Sequence, residues 1–138
     1  MPGERSASRE FLDSNILIYA FTGDPRATAA QDLISRRCNV SVQGLNEFVN
    51  VARRKLGMSW AEIGEALAAI RTLCRSVHPV DLGTHSEALR IAERYGFAIY
   101  DPLVIAAALR SNCTVLWSED MHDGLLVDGR LRIANPFR

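Results

Sequence analysis

Residues 11–21 read FLDSNILIYAF, and the change of period inside this stretch decides the fold class. Phe11 and Leu12 belong to a short apolar run that stops at Asp13. From Ser14 onward Ile16, Leu17, Tyr19 and Ala20 recur at helical spacing. A strand that hands its chain directly to a helix opens an α/β unit. The hand-over repeats downstream. Ala27–Arg37 reads as a second helix after the Gly23-Asp24-Pro25 break, and Asn39–Val42 as a strand. Leu45, Phe48, Val49, Ala52 and Leu56 then keep helical spacing until Gly57. Ser59 and Glu62 have the spacing of a capping box ahead of the stripe Ile63, Ala66, Leu67, Ile70, Leu73 and Cys74, and Met58 and Trp60 are expected in the core beside it. Val77–Val80 is the third expected strand and Gly83–Tyr95 a helix. After the apolar run Phe97–Tyr100, Asp101 reads as an N-cap with Pro102 as the first helical residue. Thr114–Trp117 and Leu131–Ala134 are the last strands expected, with a local hairpin through Asp128-Gly129.

Strands separated by helices cannot be hairpin partners, so the pattern predicts an α/β/α sandwich around a mostly parallel central sheet. The chain has 138 residues, the size of one domain. We place that domain at residues 10–137, with residues 1–9 polar and frayed. Hydrophobic residues make up 48% and charged residues 23%, which argues against extended disorder. The longest uninterrupted apolar stretch, Leu103–Leu109, is far short of the roughly 20 residues a membrane span needs. The opening MPGERSASRE lacks the apolar region of a signal peptide. Cys38, Cys74 and Cys113 are too dispersed for a disulfide framework or a zinc knuckle. A cytoplasmic protein with no membrane association is therefore expected.

Formal net charge is zero, so overall charge gives no support for a polyanion partner. The composition is nevertheless biased: Lys55 is the sole lysine, and the other fifteen cations are arginines, including the runs Arg36-Arg37 and Arg53-Arg54-Lys55.

Ligands of open α/β sheets bind beyond the carboxyl ends of the strands. Asp13, Asp101 and Asp120 each come just after an apolar run. Glu47 lies near the start of the helix after the second strand, off its buried stripe and on a face with Asn50 and Arg54. Four carboxylates from four segments are therefore expected to meet on one sheet edge. Two carboxylates about 4 Å apart repel by about 4 kcal/mol at an effective dielectric of 20. Such a group is tolerated by raised pKa values or by a bound cation. Oxygen-only ligation suits Mg²⁺ or Mn²⁺, whose common work is activating water and neutralising charge during attack on a phosphodiester. Capping is the competing role for Asp13 and Asp101, solvation for Glu47, and turn chemistry for Asp120. Neither a GxSxG elbow nor a phosphate-binding glycine loop is present. His78, His85 and His122 lack zinc spacing, and His122 reads as a bystander beside Asp120.

The segments FLDSNILIYAF, LNEFVNVARRKL, YDPLVIAAAL and LWSEDMHDG, with the tail GRLRIANPF, together resemble the PIN-domain ribonucleases, and among them the VapC-type toxins of bacterial toxin–antitoxin pairs. The resemblance spans about residues 10–137. It implies a Rossmann-like fold and an endoribonuclease dependent on Mg²⁺ or Mn²⁺. Asp13, Glu47, Asp101 and Asp120 carry over as its acidic quartet, with Asp13, Asp101 and Asp120 as metal ligands. Ser118 and, more weakly, Asn15 carry over as supporting residues; the role of Asp123 is left open. The resemblance also implies an RNA substrate, a homodimer and a cognate antitoxin that covers the acidic groove with an arginine. Arg53, Arg54 and Lys55, on the helix that bears Glu47, are candidate contacts to RNA phosphates. A PIN-type RNA-processing nuclease outside a toxin system, or a receiver-like phospho-accepting domain, are the alternative readings.

Overall fold

The computed structural model describes residues 9–138; the expectation of a frayed start falls on residues 1–8, outside the described residues. Arg9 itself is tied down, because its carbonyl accepts hydrogen bonds from Thr114 and Val115. The chain runs β1 (Glu10–Leu12), α1 (Ser14–Tyr19), α2 (Ala27–Ser35), β2 (Asn39–Ser41), α3 (Val42–Arg54), α4 (Trp60–Leu73), β3 (Ser76–His78), α5 (Leu82–Tyr95), α6 (Tyr100–Arg110), β4 (Val115–Trp117), β5 (Leu126–Val127) and β6 (Leu131–Ala134). The sheet order is β3-β2-β1-β4-β6-β5, with every pairing parallel except β5 with β6.

Alternation along β1 divides the interior between the two sheet faces. Phe11 packs with Ile91, Ile105, Leu116 and Ile133 under α5 and α6. Leu12, one residue on, packs with Ile16, Leu17, Val40, Phe48 and Ile70 under α1 to α4. All of these are at most 1% exposed, so each contributes about 1.5–3 kcal/mol by burial. Helices thus cover both faces, as the period changes predict. The three cysteines are buried thiols, and among the described residues no helix is long and apolar enough to cross a membrane.

Caps explain most element starts. Ser41 accepts from Gly44 N–H, Asp81 from Thr84 N–H, and Ser59 with Glu62 forms the reciprocal capping box. Three expectations need correction. The third strand ends at His78, because Pro79 has no N–H to offer the ladder. Trp60 is not in the core: as the first residue of α4 it lies outside the Ile63–Ala66–Ile70 stripe and is 64% exposed. Asp101 is not an N-cap. Ile99 and Phe97 pack against the α5–α6 core, α6 begins at Tyr100, and Asp101 sits in its first turn. Pro102 is tolerated there because first-turn N–H groups have no intrahelical acceptor, and a carboxylate in that turn is favoured by the helix dipole.

The chain builds outward from β1 to β2 and β3, then returns to the opposite side of β1 to lay down β4. The crevice at that reversal opens between the carboxyl ends of β1 and β4, where open α/β sheets bind their ligands.

Candidate active site at the strand reversal

Asp13 is the first residue beyond β1. Its N–H donates to the Trp117 carbonyl at 3.0 Å, extending the β1–β4 pairing and fixing its side chain at the mouth of the crevice. The residue is only 7% exposed. Oδ1 accepts from Ser14 N–H at 2.7 Å, and Oδ2 accepts from Ser118 Oγ at 2.8 Å. Asp13 therefore does cap α1, and its second oxygen belongs to the crevice. Burial raises its pKa from 3.8 to about 6, against the lowering effect of the Ser118 and Ser14 hydrogen bonds; the charges of Glu47 and Asp101 push it further up.

Glu47 reaches the same place from the second turn of α3. Its Oε2 accepts from Ser14 Oγ at 2.6 Å and its Oε1 from Gln43 Nε2 at 3.3 Å. Asn15 links the remaining pieces. Its amide nitrogen lies 3.4 Å from Asp13 Oδ2 and 3.2 Å from Asp120 Oδ2, while its carbonyl accepts from Glu119 N–H. Asp101 joins through its field rather than a hydrogen bond. Partial desolvation raises its pKa, Glu47 and Asp120 add to the rise, and His122 opposes it. His122 is thus an electrostatic neighbour of the acids, with its ring 5.3 Å from that of Phe97. The quartet expected from sequence is brought to one edge, with Ser118 and Asn15 holding it.

The other expected residues divide. Lys55 lines a groove of about 490 Å³ together with Ser14, Asn15, Tyr19, Glu47 and Asp120. Arg53 turns away: its guanidinium lies 4.6 Å from the Trp60 ring centre, and Nη1 donates to the Met58 carbonyl at 3.0 Å. Arg54 is exposed and does not line the groove. Asp123 faces the C-terminal segment, where it accepts from Asn135 N–H at 2.9 Å.

A second set of contacts escaped the sequence reading. Tyr19 Oη donates to Glu119 Oε1 at 2.5 Å, and Arg26 Nη1 donates to Glu119 Oε2 at 2.8 Å with its guanidinium over the Tyr19 ring. The Glu119 bond pushes the Tyr19 phenol up to about 12. This clamp pins the segment carrying Ser118 and Asp120 against α1. No local pattern announces it, since the partners are about a hundred residues apart.

The donor set offered to a cation is oxygen throughout, which fits Mg²⁺ or Mn²⁺. Among the described residues, no three His, Cys, Asp or Glu side chains stand close enough together to hold a metal ion as they are placed here. The acids instead share a field. None of the four pairs with an arginine or lysine among the described residues, although Glu10, Asp24, Asp81, Glu119, Asp123 and Asp128 all do.

Solved structures share this architecture. A toxin–antitoxin complex from Klebsiella pneumoniae matches with a TM-score of 0.70 at 16% identity, covering 92% of this chain and 97% of that one. VapC20 of Mycobacterium tuberculosis, a sarcin-ricin loop cleaving toxin, gives 0.66 at 20% identity over 80% of this chain and 89% of its own. VapBC2 from Rickettsia felis, bound to a DNA fragment from its promoter, gives 0.66 at 17% over 91% and 97%. At these identities the likeness is one of fold. No curated protein sequence matches the chain. Residues 11–122 match the PIN domain, a stretch that holds all four acids and sets aside the receiver-like alternative. On that match, and with the sheet and crevice just described, the chain belongs to the PIN domain family.

Proposed function

We propose that this protein is a divalent-metal-dependent endoribonuclease, the toxin of a toxin–antitoxin pair that inhibits translation by cutting RNA. The observation that carries the reading is the unpaired quartet. Glu119, Glu10 and Asp128 are each met by an arginine, whereas these four acids, gathered at one edge, are not. Asp13, Asp101 and Asp120 are the residues that would hold Mg²⁺ or Mn²⁺. When bound, the cation supplies a Lewis acid that activates water and offsets charge on the phosphoryl oxygens. Ser118 and Asn15 orient Asp13 and Asp120, the supporting contacts that metal-binding carboxylates depend on. Glu47, held by Ser14 and Gln43, orients the attacking water. Lys55, in the groove, draws in an RNA phosphate, with Arg53 and Arg54 adding charge at the same helix end.

The toxin assignment is supported by the toxin–antitoxin neighbours, and it brings a cognate antitoxin whose arginine enters the groove, a homodimer and a cytoplasmic location. Sequencing RNA ends after brief induction tests the reading directly. We expect new 5′-phosphate ends at defined sites together with growth arrest, both absent for Asp101→Asn. Unchanged RNA ends and normal growth on overproduction of the wild type would overturn it.

A further inference from the structure

Trp60 was expected inside and lies 64% exposed, yet its ring is anchored. The Arg53 guanidinium sits over it at 4.6 Å and is itself held by the Met58 carbonyl at 3.0 Å, while the capping box at Ser59 fixes the start of the helix. A flat ring, backed by a cation and otherwise open to solvent, is prepared for stacking at little cost in ordering. Two more cations follow Arg53 in the chain, and Glu62 shares the first helical turn with Trp60. Arg53, Arg54 and Lys55 are exposed, and none makes an ion pair among the described residues. Lys55 and Leu56, next in the chain after Arg53 and Arg54, line the groove that also holds Glu47 and Asp120, while Arg53 and Trp60 stand outside that lining.

From this arrangement we infer that Trp60, backed by Arg53, is the stacking platform for an unpaired nucleobase of single-stranded RNA, whose backbone runs past Lys55 toward the acids. The inference rests on the ribonuclease reading and adds to it a contact that fixes where along the strand the acids act. Aromatic stacking beside cationic side chains is how single strands are held, and it tolerates any base because every base has a π-face. A protein partner seeking apolar cover finds it instead at the far end of α4, about 20 Å along the helix, in a cavity of about 310 Å³ lined by Phe21, Ile34, Ile70 and Leu73.

The test measures affinity for a short unstructured oligoribonucleotide in an Asp101→Asn background, with Trp60→Ala, Trp60→Leu and Trp60→Phe added singly. Stacking is worth about 1–3 kcal/mol, so Trp60→Ala should weaken binding roughly 5- to 150-fold. Trp60→Leu should weaken it nearly as much, and Trp60→Phe should keep most of the affinity. RNA should quench the indole fluorescence of the parent protein, and the quenching should disappear in Trp60→Phe, leaving only Trp117 as fluorophore. Equal affinities with no quenching, while RNA still binds, would overturn the platform and leave the ribonuclease reading standing. A change in oligomeric state by light scattering in Trp60→Ala, at unchanged RNA affinity, would overturn it in favour of a protein contact. Failure of every variant to bind RNA, together with no cleavage by the wild type, would remove the ribonuclease reading and the platform with it.

Discussion

Asp13 and Asp128 both close a strand of the same sheet, yet their surroundings push their carboxyls in opposite directions. Asp128 stands in the β5–β6 turn and takes charge-assisted bonds from Arg90, with Tyr95 and Arg94 nearby, and these hold its pKa below 3.8. Asp13 is more deeply buried, receives only neutral donors, faces Glu47 and Asp101, and rises to about 6. That rise corresponds to about 3 kcal/mol of disfavour for the ionised form. The chain has arginines to spare and uses them on Asp128, Glu119 and Glu10. The crevice is thus a place where the protein leaves negative charge for something else to neutralise.

The hardest test of that contrast is Asp101→Asn. If the crevice acids serve a cation that carries out RNA cleavage, losing one ligand should lower the cleavage rate by about 10²–10⁴-fold, since such a cation contributes several kcal/mol to the transition state. Asp128→Asn, measured in the same assay, should change the rate by less than about twofold. Equal losses in both would erase the distinction between the two acids.

The next largest effect is the pH dependence of stability. Because Asp13 has a higher pKa folded than unfolded, the folded state binds more protons between about 4 and 6. Without metal, stability should therefore fall as pH rises through that window, by up to about 3 kcal/mol, and level off above it. Asp13→Asn should flatten that decline and be the more stable protein at neutral pH. Its amide still accepts from Ser14 N–H, and the Ser118 hydroxyl can turn to accept from the new NH₂ group. Urea melts of both proteins at a series of pH values would show this. A wild type whose stability rises across the window contradicts the burial argument.

How much of this was readable in advance follows from the range of each interaction. Asp13 and Asp120 were legible because each follows a short apolar run, and Glu47 because it lies near a helix start off the buried stripe, whereas Ser118 came only from the resemblance to the PIN-domain ribonucleases. Asp101 was found for a partly wrong reason. Phe97 and Ile99 are apolar because they pack on the α5–α6 core, and a run of four residues cannot tell a buried connection from a strand. Trp60 was misplaced because an aromatic residue beside an apolar stripe reads as core, whereas its position as the first residue of α4 turns it outward. The strand order, and with it the reversal between β1 and β4, depends on pairings between distant segments. So does the Tyr19–Glu119–Arg26 clamp, and neither leaves a periodic trace.

Ser118→Ala comes next in size. The hydroxyl is fully buried and gives Asp13 the strongest of the contacts that favour its charged form. Without it the Asp13 pKa should rise further, and metal affinity should weaken by about 10- to 100-fold, as for other supporting contacts to metal-binding carboxylates. Titration of the protein with Mg²⁺, followed by its melting temperature, checks this; unchanged affinity would make Ser118 a packing residue only.

The smallest effect is expected from Asp128→Asn on stability, and its sign completes the comparison. Asn tolerates the left-handed backbone at this position, where φ is 52°, so the substitution removes charge without straining the turn. Arg90 is 43% exposed, and solvent screening holds the expected loss to about 1 kcal/mol at neutral pH. That loss should fade as pH falls through the lowered pKa of Asp128, because the wild-type carboxyl then protonates and gives up the same attraction. Two Asp→Asn changes on one sheet should therefore move stability in opposite directions, up at Asp13 and down at Asp128. If both lower it by similar amounts at neutral pH, the crevice acids are as well satisfied as the hairpin acid, and the charge held open for a cation is not there.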